Sequence, residues 1–149
     1  MASLADRETY TFWEHYFLAS PHKTHEEAWF LMETRWMLYM ERHETLALLQ
    51  GIPRTYLENG KRIELSELAS YFGSFSLQVE SKLDQGRIEA SIECASARRP
   101  ERIELRLPHP EGHRPTKVEG GSYSQETENV TIDSFSGRAG VVLVFGAQD

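Results

Sequence analysis

Three glutamates, Glu33, Glu41 and Glu44, are the side chains whose type and spacing invite chemistry, and all three lie on one apolar segment. Glycoside hydrolysis needs two carboxyl groups at a fixed gap, one acting as acid and the other as base or nucleophile. Read as a helix, the segment puts Glu41 and Glu44 on one face, with Arg42 and His43 between them. Salt-bridging of a helix end explains that pattern without catalysis. Glu41 and Glu44 are therefore the catalytic candidates of a chain expected to have no catalytic set of its own. His22 and His25 stand three apart beside Glu26 and Glu27, but they straddle an expected helix start and form no HExxH pattern, so no metal site is expected. The single cysteine, Cys94, shares the apolar register of a strand with Ile88, Ala90 and Ile92, which predicts a buried, inert thiol and excludes an internal disulfide. No serine sits in a nucleophile elbow and no Gly-rich phosphate loop is present, so no cofactor is expected. For ligand binding the aromatics of the C-terminal part are Tyr71, Phe72, Tyr123 and Phe135. Core packing accounts for the phenylalanines, which leaves Tyr71 and Tyr123 as candidates.

These residues must be held by elements that 149 residues can build: one ordinary domain, or a small domain with an appendage. A net charge of -7, with Lys and Arg outnumbered and dispersed, argues against a nucleic-acid partner. The opening MASLADRETY lacks a basic stretch followed by an apolar run, and no segment is apolar enough to span a bilayer, so no membrane partner is expected. The chain as given is expected in the cytoplasm, while a parent from which it was cut can be secreted. Asn129-Val130-Thr131 fits a glycosylation sequon, a triplet common by chance.

The period of the apolar residues divides the chain in two. Leu4–Ala19 reads as a first helix with Tyr10, Trp13 and Phe17 on one face, broken by Ser20-Pro21. Thr24, with Glu27 three residues on, predicts a capped second helix running to Gln50, before Gly51 and Pro53. Within it Trp29, Met32, Trp36, Tyr39, His43 and Leu46 form a seam for an antiparallel partner. From Trp29 to Met40 large apolar side chains point almost all round, more than one neighbour can cover. After position 53 the period becomes two. A first strand over Arg62–Leu65 is followed by Phe75-Leu77-Val79, Ile88-Ala90-Ile92-Cys94, Ile103-Leu105-Leu107, Val118, Val130-Ile132 and Val141-Leu143-Phe145, separated by Gly- and Pro-containing turns. The expected fold is α+β: an antiparallel helical hairpin over 1–52, then an antiparallel β-sandwich of about seven strands over 53–149. Trp13, Trp29, Trp36, Phe75, Val79, Ile92, Leu105 and Val142 are expected in the core.

The stretches ETRWMLYMERHETLALLQGIPRTYLENGKRI, ASYFGSFSLQVES, RIELRLPHPEG and VVLVF together resemble the C-terminal region of bacterial six-hairpin glycosidase-like proteins. In that family an (α/α)6 toroid precedes a β-sandwich tail. The resemblance implies that residues about 4–50 are the last hairpin of the toroid and about 57–147 its tail, with any catalytic carboxylates on the missing barrel. The function so implied is a non-catalytic accessory region of a carbohydrate-active protein. The alternatives are a free-standing carbohydrate-binding module and a module that self-associates through the hairpin. Phe30, Leu31, Met37, Leu38 and Met40 are the expected self-association residues. The expected partner is the missing helical barrel or a second copy of the chain, with a carbohydrate as ligand.

Overall fold

Tertiary pairing, rather than local periodicity, decides where the helix ends. In the computed structural model, which describes Ala5–Asp6, Thr11–Phe12 and residues 24–146, helix α1 spans Thr24–Leu38 and carries Glu26 and Glu27 in its first turn, where carboxylates favour the positive end of the helix dipole. The expected continuation to Gln50 is not formed. Tyr39–Arg42 (β3) and Thr45–Leu48 (β4) make an antiparallel hairpin instead, turning at His43 with φ +53°. The reason lies in the run Leu46-Ala47-Leu48-Leu49, all fully buried. Four consecutive apolar positions fit a buried helix and a strand covered on both faces equally well. The last carbonyls of α1 are satisfied by this hairpin, since Leu49 N–H donates to Leu38 O and Gly51 N–H to Met37 O.

The first helix expected over Leu4–Ala19 is also corrected where it is described. Ala5–Asp6 (β1) and Thr11–Phe12 (β2) pair antiparallel, Ala5 opposite Phe12. The remainder of that span, including Trp13, lies outside the described residues, as does His22. One helix, and not a helical hairpin, therefore precedes the sheets among the described residues, and β-structure begins ahead of position 53.

Two five-stranded, mostly antiparallel sheets follow. With β5 (Arg62–Ser70), β6 (Gly73–Lys82), β7 (Arg87–Cys94), β8 (Arg102–Arg106), β9 (Lys117–Glu119), β10 (Ser122–Ser124), β11 (Asn129–Asp133) and β12 (Arg138–Val144), their orders are β10-β11-β8-β4-β3 and β5-β6-β7-β12-β9. Only the β4–β8 pair is parallel among those described. Strand β5 outruns its expected end at Leu65 because a bulge between Leu65 and Leu68, with Glu67 at φ +52°, restores its pairing with β6.

The alternating positions of both sheets meet in one core. Phe75, Leu77 and Val79 of β6, Ile88 and Ile92 of β7, Ile103 and Leu105 of β8, Val130 of β11 and Val141 and Leu143 of β12 belong to a single buried cluster. Each such side chain contributes about 1.5–3 kcal/mol through its removal from water. Phe75, Val79, Ile92 and Leu105 are buried as expected, and Cys94 is buried with its thiol directed at Phe72 O, 3.6 Å away. Val142 is not in the core. Its register sets it opposite Glu89 and Glu119 on the polar face, while Val141 and Leu143 point inward. Trp29 and Trp36 also depart from expectation, since both are exposed on α1. No helix among the described residues is long and apolar enough to cross a membrane.

Candidate functional site

Glu41 sits on β3, and its carboxylate is saturated. The side chain is only 3% exposed, Arg35 Nη2 donates to both carboxylate oxygens at 2.7 Å, and Tyr71 N–H donates to Oε1 at 3.1 Å. Arg35 also lies over the Tyr39 ring, 4.4 Å from its centroid, and Tyr39 OH donates to Ala69 O at 3.1 Å. The group is a clasp that fastens the end of α1 and the edge strand β3 to the β5–β6 turn. A carboxylate held by three donor contacts is poorly placed to take a proton from, or give one to, a substrate. Glu44 lies in the β3–β4 turn, and its carbonyl accepts the N–H groups of Glu101 and Arg102. The two candidates thus occupy a strand and a turn, and the shared helical face expected for them does not exist. Glu33 is exposed on α1.

The remaining sequence candidates are spread over the molecule. Tyr71 projects from the β5–β6 turn and is exposed. Tyr123, on β10, packs against the core, and its phenol is pushed above its ordinary pKa first by burial and then by the Glu128 carboxylate. Of the self-association residues, Leu31 is exposed, Phe30 and Met40 are half-buried, and Met37 and Leu38 pack against the core from its edge. His25 Nε2 lies 3.1 Å from the buried Glu26 carboxylate in the first turn of α1.

Sequence reading passed over one further cavity. A cleft of about 700 Å³ opens where the turn at Glu58 and Asn59, the 3-10 turn Leu83–Gln85, the loop His109-Pro110-Glu111 and the end of β12 at Phe145 converge. Asn59 Oδ1 accepts the Asp84 N–H at 3.0 Å, and Phe145 N–H donates to Gly86 O at 2.7 Å, so the walls are tied to one another. His109 is the unusual member. It is only 6% exposed, with its ring between those of Phe145 and His113 at centroid distances of 4.6 and 4.5 Å. Its Nδ1 accepts the Glu111 N–H at 3.1 Å, which leaves the hydrogen of the neutral ring on Nε2. Arg54 Nη1 holds the His109 carbonyl at 2.7 Å. Flanked by Pro108 and Pro110, His109 falls in one of the Pro-containing turns, and no periodic signal marks the histidine as buried.

His109, Glu111 and His113 bring potential metal-ligating atoms within 4.8 Å of one another. They fit a resident ion poorly. Coordination through Nε2 would move the ring proton to Nδ1 and break the bond from Glu111 N–H, and Nδ1 itself is already occupied. Burial, reinforced by the charge of His113, holds the His109 pKa below its ordinary value. The unfolded chain therefore binds this proton more readily than the folded one. The contribution to stability is complete above a pH of about 6.5 and is lost as the pH falls through the depressed folded value. His109→Asn keeps an acceptor for Glu111 N–H but does not titrate. Denaturant unfolding across a pH series should show a shallower acid-side loss for this variant, whereas an unchanged slope would remove His109 from the explanation.

Comparison of the chain with protein-family models, with curated proteins and with solved structures gives no match.

Proposed function

We propose that this chain is a non-catalytic accessory region of a carbohydrate-active, glycoside hydrolase-like protein, in which the two sheets form a sandwich tail and α1 anchors it to a helical body. The observation that carries the reading is the state of α1. Trp29, Leu31 and Trp36 are 47%, 66% and 40% exposed, while the one buried residue of the helix is Glu26. A helix of 15 residues is marginal alone and normally draws its stability from an apolar face packed on a neighbour. Here the sheets close a core of their own, against which only Met37 and Leu38 of α1 pack, and leave Trp29 and Trp36 exposed on one side of the helix and Leu31 on another. The sequence resemblance supplies the nature of the neighbour, a helical hairpin of an α/α barrel, and a second copy of the chain is the alternative occupant. The saturation of Glu41 supports a tail without hydrolytic activity of its own.

Two measurements test the two halves of this reading. A hydrophobic dye such as anilinonaphthalene sulfonate should brighten on the native chain, and Leu31→Glu combined with Trp36→Ser should suppress most of that signal. An unresponsive native chain would mean that the face is already covered. On a panel of aryl glycosides the isolated chain should give no turnover above background. Turnover that disappears in Glu41→Gln or Glu44→Gln would place the catalytic pair on this chain after all.

A further inference from the structure

We propose that the cleft bounded by Asn59, Asp84, His109 and Glu111 is a binding site for a neutral, hydroxyl-rich ring, that is, one unit of a saccharide. The inference goes beyond the accessory role and does not rest on α1 being a docking face. Its ligand class is argued from the cleft alone. A volume of about 700 Å³ lies within the range of small-molecule sites. Glu58, Asp84 and Glu111 line it; none of the three pairs with a lysine or arginine among the described residues, and the Glu111 carboxylate lies 3.7 Å from His113 Nε2. The Glu58 and Asp84 carboxylates do not join the one group of metal-ligating atoms found among the described residues. An ion cannot touch all three carboxylates, so a ligand that does must be several atoms wide.

Donors decide between a cation and a polyol. The His109 ring lines the cleft, and because Nδ1 accepts the Glu111 N–H its neutral form carries a donor hydrogen on Nε2. With Asn59 Oδ1 committed to Asp84 N–H, the Asn59 amide hydrogens add a second donor. An ammonium ligand offers no acceptor to either group. A sugar hydroxyl donates to a carboxylate and accepts from an imidazole or amide at once. Leu83, Pro110 and Phe145 supply apolar wall for the C–H face of a pyranose. The cleft is open to solvent, so binding near a Kd of about 1 mM is expected rather than tight capture.

The test is a heteronuclear NMR titration of the whole chain with maltose, cellobiose and lactose, and with ethylammonium chloride and calcium chloride as cationic controls. At least one disaccharide should shift the amide signals of Asn59, Asp84, Gly86, Glu111 and Gly146 saturably. Asp84→Ala and Glu111→Ala, both surface changes whose spectra report their own folding, should each weaken that binding about tenfold. Three results overturn the site: no saccharide shifts these signals, the cationic controls shift them while the saccharides do not, or the saccharide shifts fall elsewhere and are unaffected by the two variants. None of these touches the dye response of α1, so the cleft can fail while the accessory reading stands.

Discussion

Arg106→Met is expected to lower the unfolding free energy by about 3 kcal/mol, a large effect for one surface-adjacent arginine. Arg106 Nη2 donates to Glu128 Oε2 at 3.0 Å, and Nη1 reaches Ile52 O at 3.1 Å and Gln50 O at 3.4 Å. Glu128 is buried, and its other oxygen is held by Arg54 at 2.7 Å. Removing Arg106 leaves a buried carboxylate with one half-exposed partner and deprives the Gln50 and Ile52 carbonyls of a donor. An uncompensated buried charge costs more than a lost contact. Glu128→Gln in the same chain removes that charge, so the double variant should recover a substantial part of the loss. Denaturant unfolding of the two single variants and the double variant measures this coupling. A single variant within experimental error of wild type would mean that Arg54 alone neutralises Glu128.

Gly120→Ala should be at least as damaging, at about 2–5 kcal/mol, for steric rather than electrostatic reasons. Gly120 and Gly121 connect β9, the edge of one sheet, to β10, the edge of the other. Gly120 has φ +88°, and a Cβ there would run into the carbonyl oxygen of Gly140 on β12. Backbone meets backbone, so no side-chain rotation relieves the clash. By contrast Gly60→Ala, at φ +78° but with nothing within 4 Å of the added carbon, should cost only the strain of its conformation. Thermal unfolding of the two variants side by side separates crowding from conformation. Equal losses would show that φ alone governs both positions.

The legible part of the fold was the part with period two. Phe75-Leu77-Val79 and Ile88-Ala90-Ile92 alternate because each of their strands has one face in the core and one in water. Leu46 to Leu49 gave no such clue, because β4 is covered on both faces and pairs with β8, whose Arg102 lies opposite Thr45 far along the chain. Nothing local distinguishes that environment from a buried helix. The ionic clasps were illegible for a related reason. Arg106 and Glu128 stand 22 residues apart, and both read as solvated charges until β8 and the turn before β11 bring them together. Glu41 reads as one of a helical acidic pair until β3 forms and Arg35 closes on it. His109 carries no periodic signal at all, since its burial comes from Phe145 and His113 meeting across a proline-flanked loop.

Exposed α1 ties the architecture to the proposed role. Burial of a large apolar side chain is worth about 1.5–3 kcal/mol, and the costs of association offset much of that sum for a small contact. A weak, concentration-dependent self-association is therefore the expected behaviour of the chain on its own, with one copy standing in for the helical body. Leu31 is the residue to change, because Met37 and Leu38 pack against the core and charging them would disturb the fold itself. Sedimentation equilibrium of wild type beside Leu31→Glu is the most direct measurement. Wild type should give an average mass that rises with concentration above the 17.2 kDa of one chain, and Leu31→Glu should return to that mass with an unchanged β-sheet circular dichroism spectrum. A wild-type chain that stays monomeric at its highest soluble concentration, or a Leu31→Glu variant that associates equally, would contradict α1 as a docking face.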